Sequence, residues 1–521
     1  MTRSLVLGCS MLALAGCGAD EIVSPGTGGN ITINNPPAPA PTPTPTPTPT
    51  AGVTPAAGCP TISDPQGLTD GGTISGPTGV YRVCTLPSRF AVSSTLRQID
   101  GLVYQLDGQV DVGTDQGAAS TGTGVVLTIE PGVIIYGQGS AFLNVNRGNQ
   151  INAVGTATDP IILTSRDNVL GLNNDNSSGQ WGGLIINGRA PITDCSAPAA
   201  TPGTVGCNRL VEGTPTPPEY GGANPADDSG DYAFIQIRYS GFVLTNGDEL
   251  QSLTTGGVGN GTTFDSIQSV NSSDDGVEFF GGEVNVTNLA VIGAEDDSLD
   301  FDTGVQGNLQ FVLAAQRPGV GDTIMEFDSS NANSDNTPRS DVTISNATFI
   351  ANSGVGDQVL RIRGEADFSL LNTVVVDNSA GTPCIRIDED GTLAAAGSQP
   401  DENGPPTFDS VVLDCTTNFR NGTDNPAAEA EAAFDAGSNN NKAFTNTLQM
   451  SYINGANETA LTDTDPTGEE TGGTTGFFVD AGFVGAVQNA SDGRFSQFTC
   501  NTAVINFGTA NTGACTSLPT P

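Results

Sequence analysis

The chain has no histidine. That absence excludes a Ser-His-Asp triad, a histidine-based zinc site and any imidazole acid or base. Catalysis, if it occurs, has to rest on Asp, Glu, Arg, Tyr or a bound ion. Positive charge is scarce as well: 17 Lys and Arg stand against 57 Asp and Glu, a net charge of −40. Nucleic acid and anionic membrane surfaces are poor partners for such a chain, whereas divalent cations and neutral ligands are better ones. Aromatic platforms for sugars have little to build on, with one Trp and seven Tyr. Charged residues make up only 14% of the chain against 68 glycines, which is a turn-rich β composition rather than a charge-driven disordered one.

The N-terminus carries an address. Met1-Thr2-Arg3 precedes an apolar run over 5–15 that is too short to span a membrane, so it reads as a signal peptide. The tetrad Leu14-Ala15-Gly16-Cys17 resembles the lipobox of bacterial lipoproteins. The resemblance implies that Cys17 is acylated, palmitate included, and becomes the first mature residue. Gly18 follows where an inner-membrane retention signal would place Asp, so the implied location is the outer membrane, lipid-anchored on its periplasmic or extracellular face. A Pro/Thr-rich tether occupies 18–56; in polyproline II its 15 most regular residues would span roughly 45 Å.

Beyond the tether roughly 465 residues remain, enough for one solenoid domain. Ten cysteines include Cys9 in the signal and Cys17 at the lipobox. The other eight fall as near neighbours, and in an exported chain they are expected as disulfides Cys59–Cys84, Cys195–Cys207, Cys384–Cys415 and Cys500–Cys515.

The fold is legible in a repeated phrase. Asp274-Asp275-Gly276-Val277-Glu278-Phe279-Phe280 returns as Asp296-Asp297-Ser298-Leu299-Asp300-Phe301-Asp302, and more loosely as Asp322 to Asp328 through Glu326. Apolar residues and acids alternate with the period of a half-buried strand. Copies spaced by 22 and 26 residues mark a strand-only solenoid. The expected fold is all-β: a single-stranded right-handed parallel β-helix with capping regions at both ends. Residues 57–124 are read as the N-terminal cap and first strands, 125–420 as the β-helix with a loop insertion at 190–230, and 421–521 as a C-terminal insertion and cap. A short helix is expected over 427–436, and Asn288, Asn346 and Asn372 are read as a structural ladder of side-chain amides.

Several phrases carry a family resemblance. Pro131-Gly132-Val133-Ile134-Ile135, Gly155-Thr156-Ala157-Thr158-Asp159-Pro160-Ile161 and Gly179-Gln180-Trp181-Gly182-Gly183 come in this order, followed by Asp274 to Gly282. They resemble a largely uncharacterised family of exported right-handed parallel β-helix lipoproteins, over about 125–385. The resemblance implies fold and location more than activity.

If the apolar positions point inward, one outward column reads Glu278, Asp300, Glu326, Arg361, Arg386. The column beside it reads Phe280, Asp302, Asp328, Arg363, Asp388. Carboxylates stacked about 4.8 Å apart repel by about 3.5 kcal/mol at an effective dielectric of ~20. Glu278, Asp300, Asp302, Glu326 and Asp328 thus form a candidate calcium site, since clustered hard oxygens suit that ion. Two other readings stay open: a solvated charge ladder, or a catalytic groove using Arg361, Arg363 and Glu326. Arg361-Ile362-Arg363 resembles the Arg-Ile-Lys of polygalacturonases, and Asp274-Asp275 their paired aspartates, but the Gly-His-Gly of those enzymes has no counterpart here.

The expected function is therefore a non-enzymatic, monomeric surface lipoprotein that binds a glycan, a partner protein or an outer-membrane transporter and is stabilised by calcium. A calcium-dependent polysaccharide lyase is the alternative. The membrane is expected as a partner only through the lipid. Cys17→Ser should accordingly release the protein from the membrane fraction; retention of that variant after a high-salt wash would overturn the anchor.

Overall fold

A computed structural model describes residues 52–519, apart from 213, 215, 246–247, 331–335 and 380. The signal segment, Cys9, Cys17 and nearly all of the tether lie outside the described residues. Strands from Thr69–Gly76 to Phe419–Arg420 join in one 25-stranded sheet that is parallel after its first hairpin. The parallel ladders begin at Gly79–Thr85, which pairs with Leu102–Gln105, so the coils start well ahead of residue 125. Within that sheet the antiparallel pairing of Thr69–Gly76 with Gly79–Thr85 stands apart from the coils.

Each coil repeats the same positions above those of the last. Val277, Leu299, Met325, Leu360 and Ile385 stack inside the solenoid, as do Phe279, Phe301, Phe327, Ile362 and Ile387. Aromatic rings continue this interior ladder: Phe279–Phe301 at 4.9 Å, Phe301–Phe327 at 5.4 Å, Phe327–Phe368 at 5.2 Å and Phe368–Phe408 at 6.5 Å. The helix Ala427–Ala436 closes the end by setting Phe434 against Phe408 and Phe419, each at 5.6 Å.

The long strands turn a corner at a single left-handed residue. Phe234, Ser266, Asn288, Phe311, Asn346, Asn372 and Ser410 have φ between 51° and 63° and fall opposite one another across the ladders. A lone left-handed residue redirects the chain without ending the strand, and Asn tolerates that conformation best among side-chain-bearing residues. The expected amide ladder does not form, because Phe311 separates Asn288 from Asn346. Asn346 donates instead to the Phe483 carbonyl at 2.7 Å, and Asn372 to the Thr464 carbonyl at 2.7 Å.

Those bonds disclose the role of the tail. Of 421–521, the helix caps the end, and the later residues run back along the outside of the coils. The tail is held by side chains that replace a neighbouring strand. Gln268 exchanges two bonds with Cys500, donating to its carbonyl at 3.0 Å and accepting from its N–H at 2.8 Å. Gln310 does the same with Val479 at 2.8 and 3.1 Å. Asn168 and Arg238 reach the Cys515 carbonyl near the N-terminal coils at 2.9 and 3.1 Å. Outward apolar residues Ala290, Ile292, Leu313 and Ile350 are buried beneath Ile453, Val487, Phe495 and Phe498 of the tail.

The four disulfides join Cys59 to Cys84, Cys195 to Cys207, Cys384 to Cys415 and Cys500 to Cys515, the nearest-neighbour pairing expected from sequence. Gln268→Ala should cost about 1–3 kcal/mol, since it strands a buried backbone N–H and C=O of Cys500. Urea unfolding would measure the loss, and amide exchange over 495–515 should accelerate; unchanged exchange there would contradict the strapping role.

Candidate functional site

The acidic phrase forms the outer face of one wall of the solenoid. Across it run Leu184–Asn187, Leu253–Val258, the start of Val277–Ile292, Leu299–Asp302, Met325–Phe327, Leu360–Ile362 and Ile385–Ile387. Alternation sends Leu, Phe, Met and Ile inward and the intervening residues outward. Thr254, Glu278, Asp300, Glu326, Arg361, Arg386 and Arg420 therefore stack in one continuous column. Gly281 and Gly282 let the wall turn directly behind the acids; a Cβ on Gly282 would lie 2.2 Å from the Val258 carbonyl oxygen.

Period two alone implied an open face, but most of it is shielded, with Asp300 and Glu326 half-buried and Asp296 at the preceding turn exposed. Glu278 is 7% exposed, Asp302 9% and Asp328 3%. Two insertions stand over it. The first, inside 190–230, carries the small hairpin of Arg209–Leu210 with Glu219–Tyr220; the second pairs Phe242–Thr245 with Asp248–Leu250. Ile192, Cys207, Val211 and Tyr220 from the first and Leu250 from the second pack on Phe142, Ile185 and Phe280 of the wall. Tyr220 lies 5.9 Å from the Phe280 ring. Buried Arg147 fastens this insertion, holding Glu219 at 2.7 Å, the Gly221 carbonyl at 3.0 Å and Asp115 at 2.6 Å.

The column divides electrically. In the C-terminal part every acid has a cation: Arg361 and Arg363 bind Glu326 at 3.1 and 2.9 Å, and Arg363 binds Asp328 at 2.9 Å. Asp388 takes Arg361 at 2.9 Å and Arg386 at 2.7 Å. Burial pushes the Asp388 carboxyl up, but the bonds from Arg361 and Arg386 outweigh it and hold it below the usual range. Burial likewise lowers Arg361, and the charges of Glu326 and Asp388 raise it further than burial lowers it.

The N-terminal part lacks such neutralisation. Asp275, Glu278 and Asp300 each place a carboxylate oxygen within 4.8 Å of the others, as do Asp274, Asp275 and Asp296, and Asp296, Asp297 and Asp322. Burial, then the neighbouring charges of Asp300 and Asp274, drive Glu278 well above its ordinary value. Burial and Asp302 do the same to Asp300. Asp274 is pushed to about 8 by burial and by Glu249, and Asp302 to about 7 by burial and by Asp328. Some oxygens have protein partners: Asp275 accepts from the Asp297 N–H at 2.9 Å, Asp297 from the Thr323 N–H at 2.7 Å, and Asp274 from Gln251 at 3.2 Å. Glu278 Oε2 and Asp300 Oδ1 are buried and find none among the described residues.

Of the residues singled out from sequence, Glu278 and Asp300 thus share a cluster with Asp275. Asp302 lies beside them, near Asp328 and Arg209. Glu326 and Asp328 belong to the arginine-neutralised part. Asp275, Asp296, Asp297 and Asp322 join the cluster from the turns preceding each strand. Their signal was the Asp-Asp doublet at 274–275 and 296–297, and a single Asp322 at the matching place in the third phrase.

A second acid pair sits on a neighbouring wall, where Asp341 and Asp367 are direct register partners. Asn403 donates its backbone N–H to Asp367 at 3.0 Å and its amide to Asp341 at 2.9 Å. Burial, then Asp341 and Glu402, push Asp367 to about 8 against the Asn403 bond and the charge of Arg339. A carboxyl raised in the folded state contributes stability that is complete below its unfolded pKa and is lost as pH rises through about 8. Asp367→Asn should therefore match the wild type at pH ~3 and become progressively more stable than it as pH rises through about 8. Equal stabilities throughout that range in urea titrations would refute the raised pKa.

Neither a curated protein nor a solved structure matches the chain. A family model described as pectate-lyase like beta helix domain matches residues 99–454, from the early coils through the cap helix and into the returning tail. The match spans both insertions, the acid column and the arginines beneath it. By this match and by its stacked parallel coils, the chain belongs to the pectate-lyase like beta helix domain family.

Proposed function

We propose that this protein is an exported, lipid-anchored β-helix scaffold that binds rather than cleaves, tethered at the outer membrane through Cys17. Its ligand is a glycan, a partner protein or an outer-membrane transporter. One observation carries the non-catalytic reading: the arginines of the column are engaged. The lyase reading rests on an arginine of the column acting as base, which it can do only as a neutral guanidine free to reach substrate. Arg361 bridges Glu326 and Asp388, Arg363 bridges Glu326 and Asp328, and Arg386 is held on Asp388. Two acids on Arg361 favour its charged form, the reverse of what a base requires. The insertions also pack on this wall at Phe142, Ile185 and Phe280, which leaves less of it open to a polymer. The lipobox resemblance at Cys17 supports export, and the Pro/Thr-rich stretch suits a spacer that carries the body clear of the lipid.

The test is an assay for unsaturated uronate ends with calcium-supplemented protein and polyuronate substrates. No product is expected. Arg361→Ala should instead cost about 1–3 kcal/mol in stability, by leaving Glu326 and Asp388 short of a partner. Product formation that vanishes in Arg361→Ala would replace the scaffold with the lyase.

A further inference from the structure

We propose that Asp275, Glu278 and Asp300 form a divalent-cation site that takes calcium. This deepens the scaffold reading and rests on it in one respect: the ion is structural and makes no contact with a substrate.

Three observations converge. The first is geometric: one carboxylate oxygen of each residue lies within 4.8 Å of the others. Two ligands on opposite sides of one calcium, each at about 2.4 Å, are about 4.8 Å apart. The three side chains therefore stand at a spacing that a single ion can bridge. The second is the state of Glu278. It is 7% exposed, its Oε2 is buried, and no hydrogen-bond donor reaches that atom among the described residues. Asp300 Oδ1 faces the same lack. A buried acceptor is ordinarily paired, and its missing partner is here one that carries positive charge. The third is the contrast along the column. One coil further on, the same outward position is Glu326, and it meets two guanidinium groups. Arginine neutralises one end of the ladder, and among the described residues no cation pairs with Glu278 or Asp300 at the other.

The donor set selects the ion. With no histidine in the chain and eight of its cysteines in disulfides, a soft metal finds no ligands here. Carboxylates that bind through one or both oxygens suit the large and irregular shell of calcium better than the strict octahedron of magnesium.

The intact protein, stripped with chelator and dialysed into calcium-free buffer, provides the test. Equilibrium dialysis with radiolabelled calcium should show at least one ion bound per chain. Calcium at about a hundredfold excess over its Kd should raise the thermal midpoint by about 3–6 °C, with magnesium giving less. Glu278→Gln and Asp300→Asn should each weaken calcium binding by about tenfold or more. Asp328→Asn, which alters an arginine-paired acid, should leave binding within about twofold. Should a variant fail to fold, dialysis of the wild type still decides the matter. A chelated protein that takes up no calcium and keeps its midpoint overturns the site, and leaves the scaffold reading standing if no polyuronate is cleaved. Calcium uptake together with cleavage overturns the scaffold reading and keeps the site.

Discussion

Parallel stacking in register is the constraint on which the rest of this molecule depends. Because each coil lies directly over the last, a residue placed at one position meets its counterpart about 4.8 Å away, whatever the sequence between them. Apolar positions gain from this, since Val277 on Leu299 on Met325 builds a continuous dry column. Corner positions accept it when every coil supplies a residue able to hold a left-handed φ, and seven successive coils do so. Charged positions are penalised by it. A column of acids cannot be relieved by a rotamer change alone, because the next acid is fixed by the same ladder.

The molecule answers that penalty with arginine in several places. Buried Arg189 holds Asp227 at 2.6 Å, and Arg339 holds Glu402 at 2.7 Å. Together with Arg147 on Glu219, each pins an irregular excursion to the regular coils. A guanidinium presents several donors in fixed directions, so one side chain can satisfy carbonyls and a carboxylate of a loop at once. Arg339 does so with the Pro400 carbonyl, the Glu365 carbonyl and Glu402. With so few cations in the chain, their concentration at excursions and in the C-terminal part of the column leaves the Glu278–Asp300 region as the stretch that must be neutralised by other means.

Sequence alone carried much of this. Strict alternation in the three acidic phrases determined which residues face the core and which share a column, because period two leaves no other assignment once Leu299 and Phe301 are inside. Near-neighbour spacing of cysteines was informative because two pairs close short excursions, Cys195–Cys207 in the insertion and Cys500–Cys515 in the tail, and the other two span 25 and 31 residues, about one coil. What escaped notice depended on contacts across long separations. Tyr220 reaches Phe280 from an insertion with no periodicity of its own, so the covering of the acids left no trace in the pattern. The returning tail escaped for a related reason. Its backbone pairs with side chains such as Gln268 and Gln310 rather than with a strand, and such pairing asks for no alternation in the tail itself. The asparagines at 346 and 372 were noticed, but their amides serve that tail and not one another.

The covering changes what the acid column can be for. On an open face, two carboxylates 4.8 Å apart in water repel by about 0.9 kcal/mol, and salt weakens that further. A ladder of that kind keeps a surface soluble at little cost. Under the insertions the effective dielectric falls, and at about 20 the same pair repels by about 3.5 kcal/mol. Glu212 and Glu249 arrive with the insertions and add to the field at Asp274. A solubilising ladder gains nothing from being covered and loses the water on which it depends. The insertions that seat Tyr220 and Leu250 on the wall beside Phe280 thus bring Glu212 and Glu249 close to the acids and raise the electrostatic cost of the cluster they cover. The arginines that offset this cost for Glu326 and Asp328 one coil further on make no ion pair with Glu278 or Asp300 among the described residues.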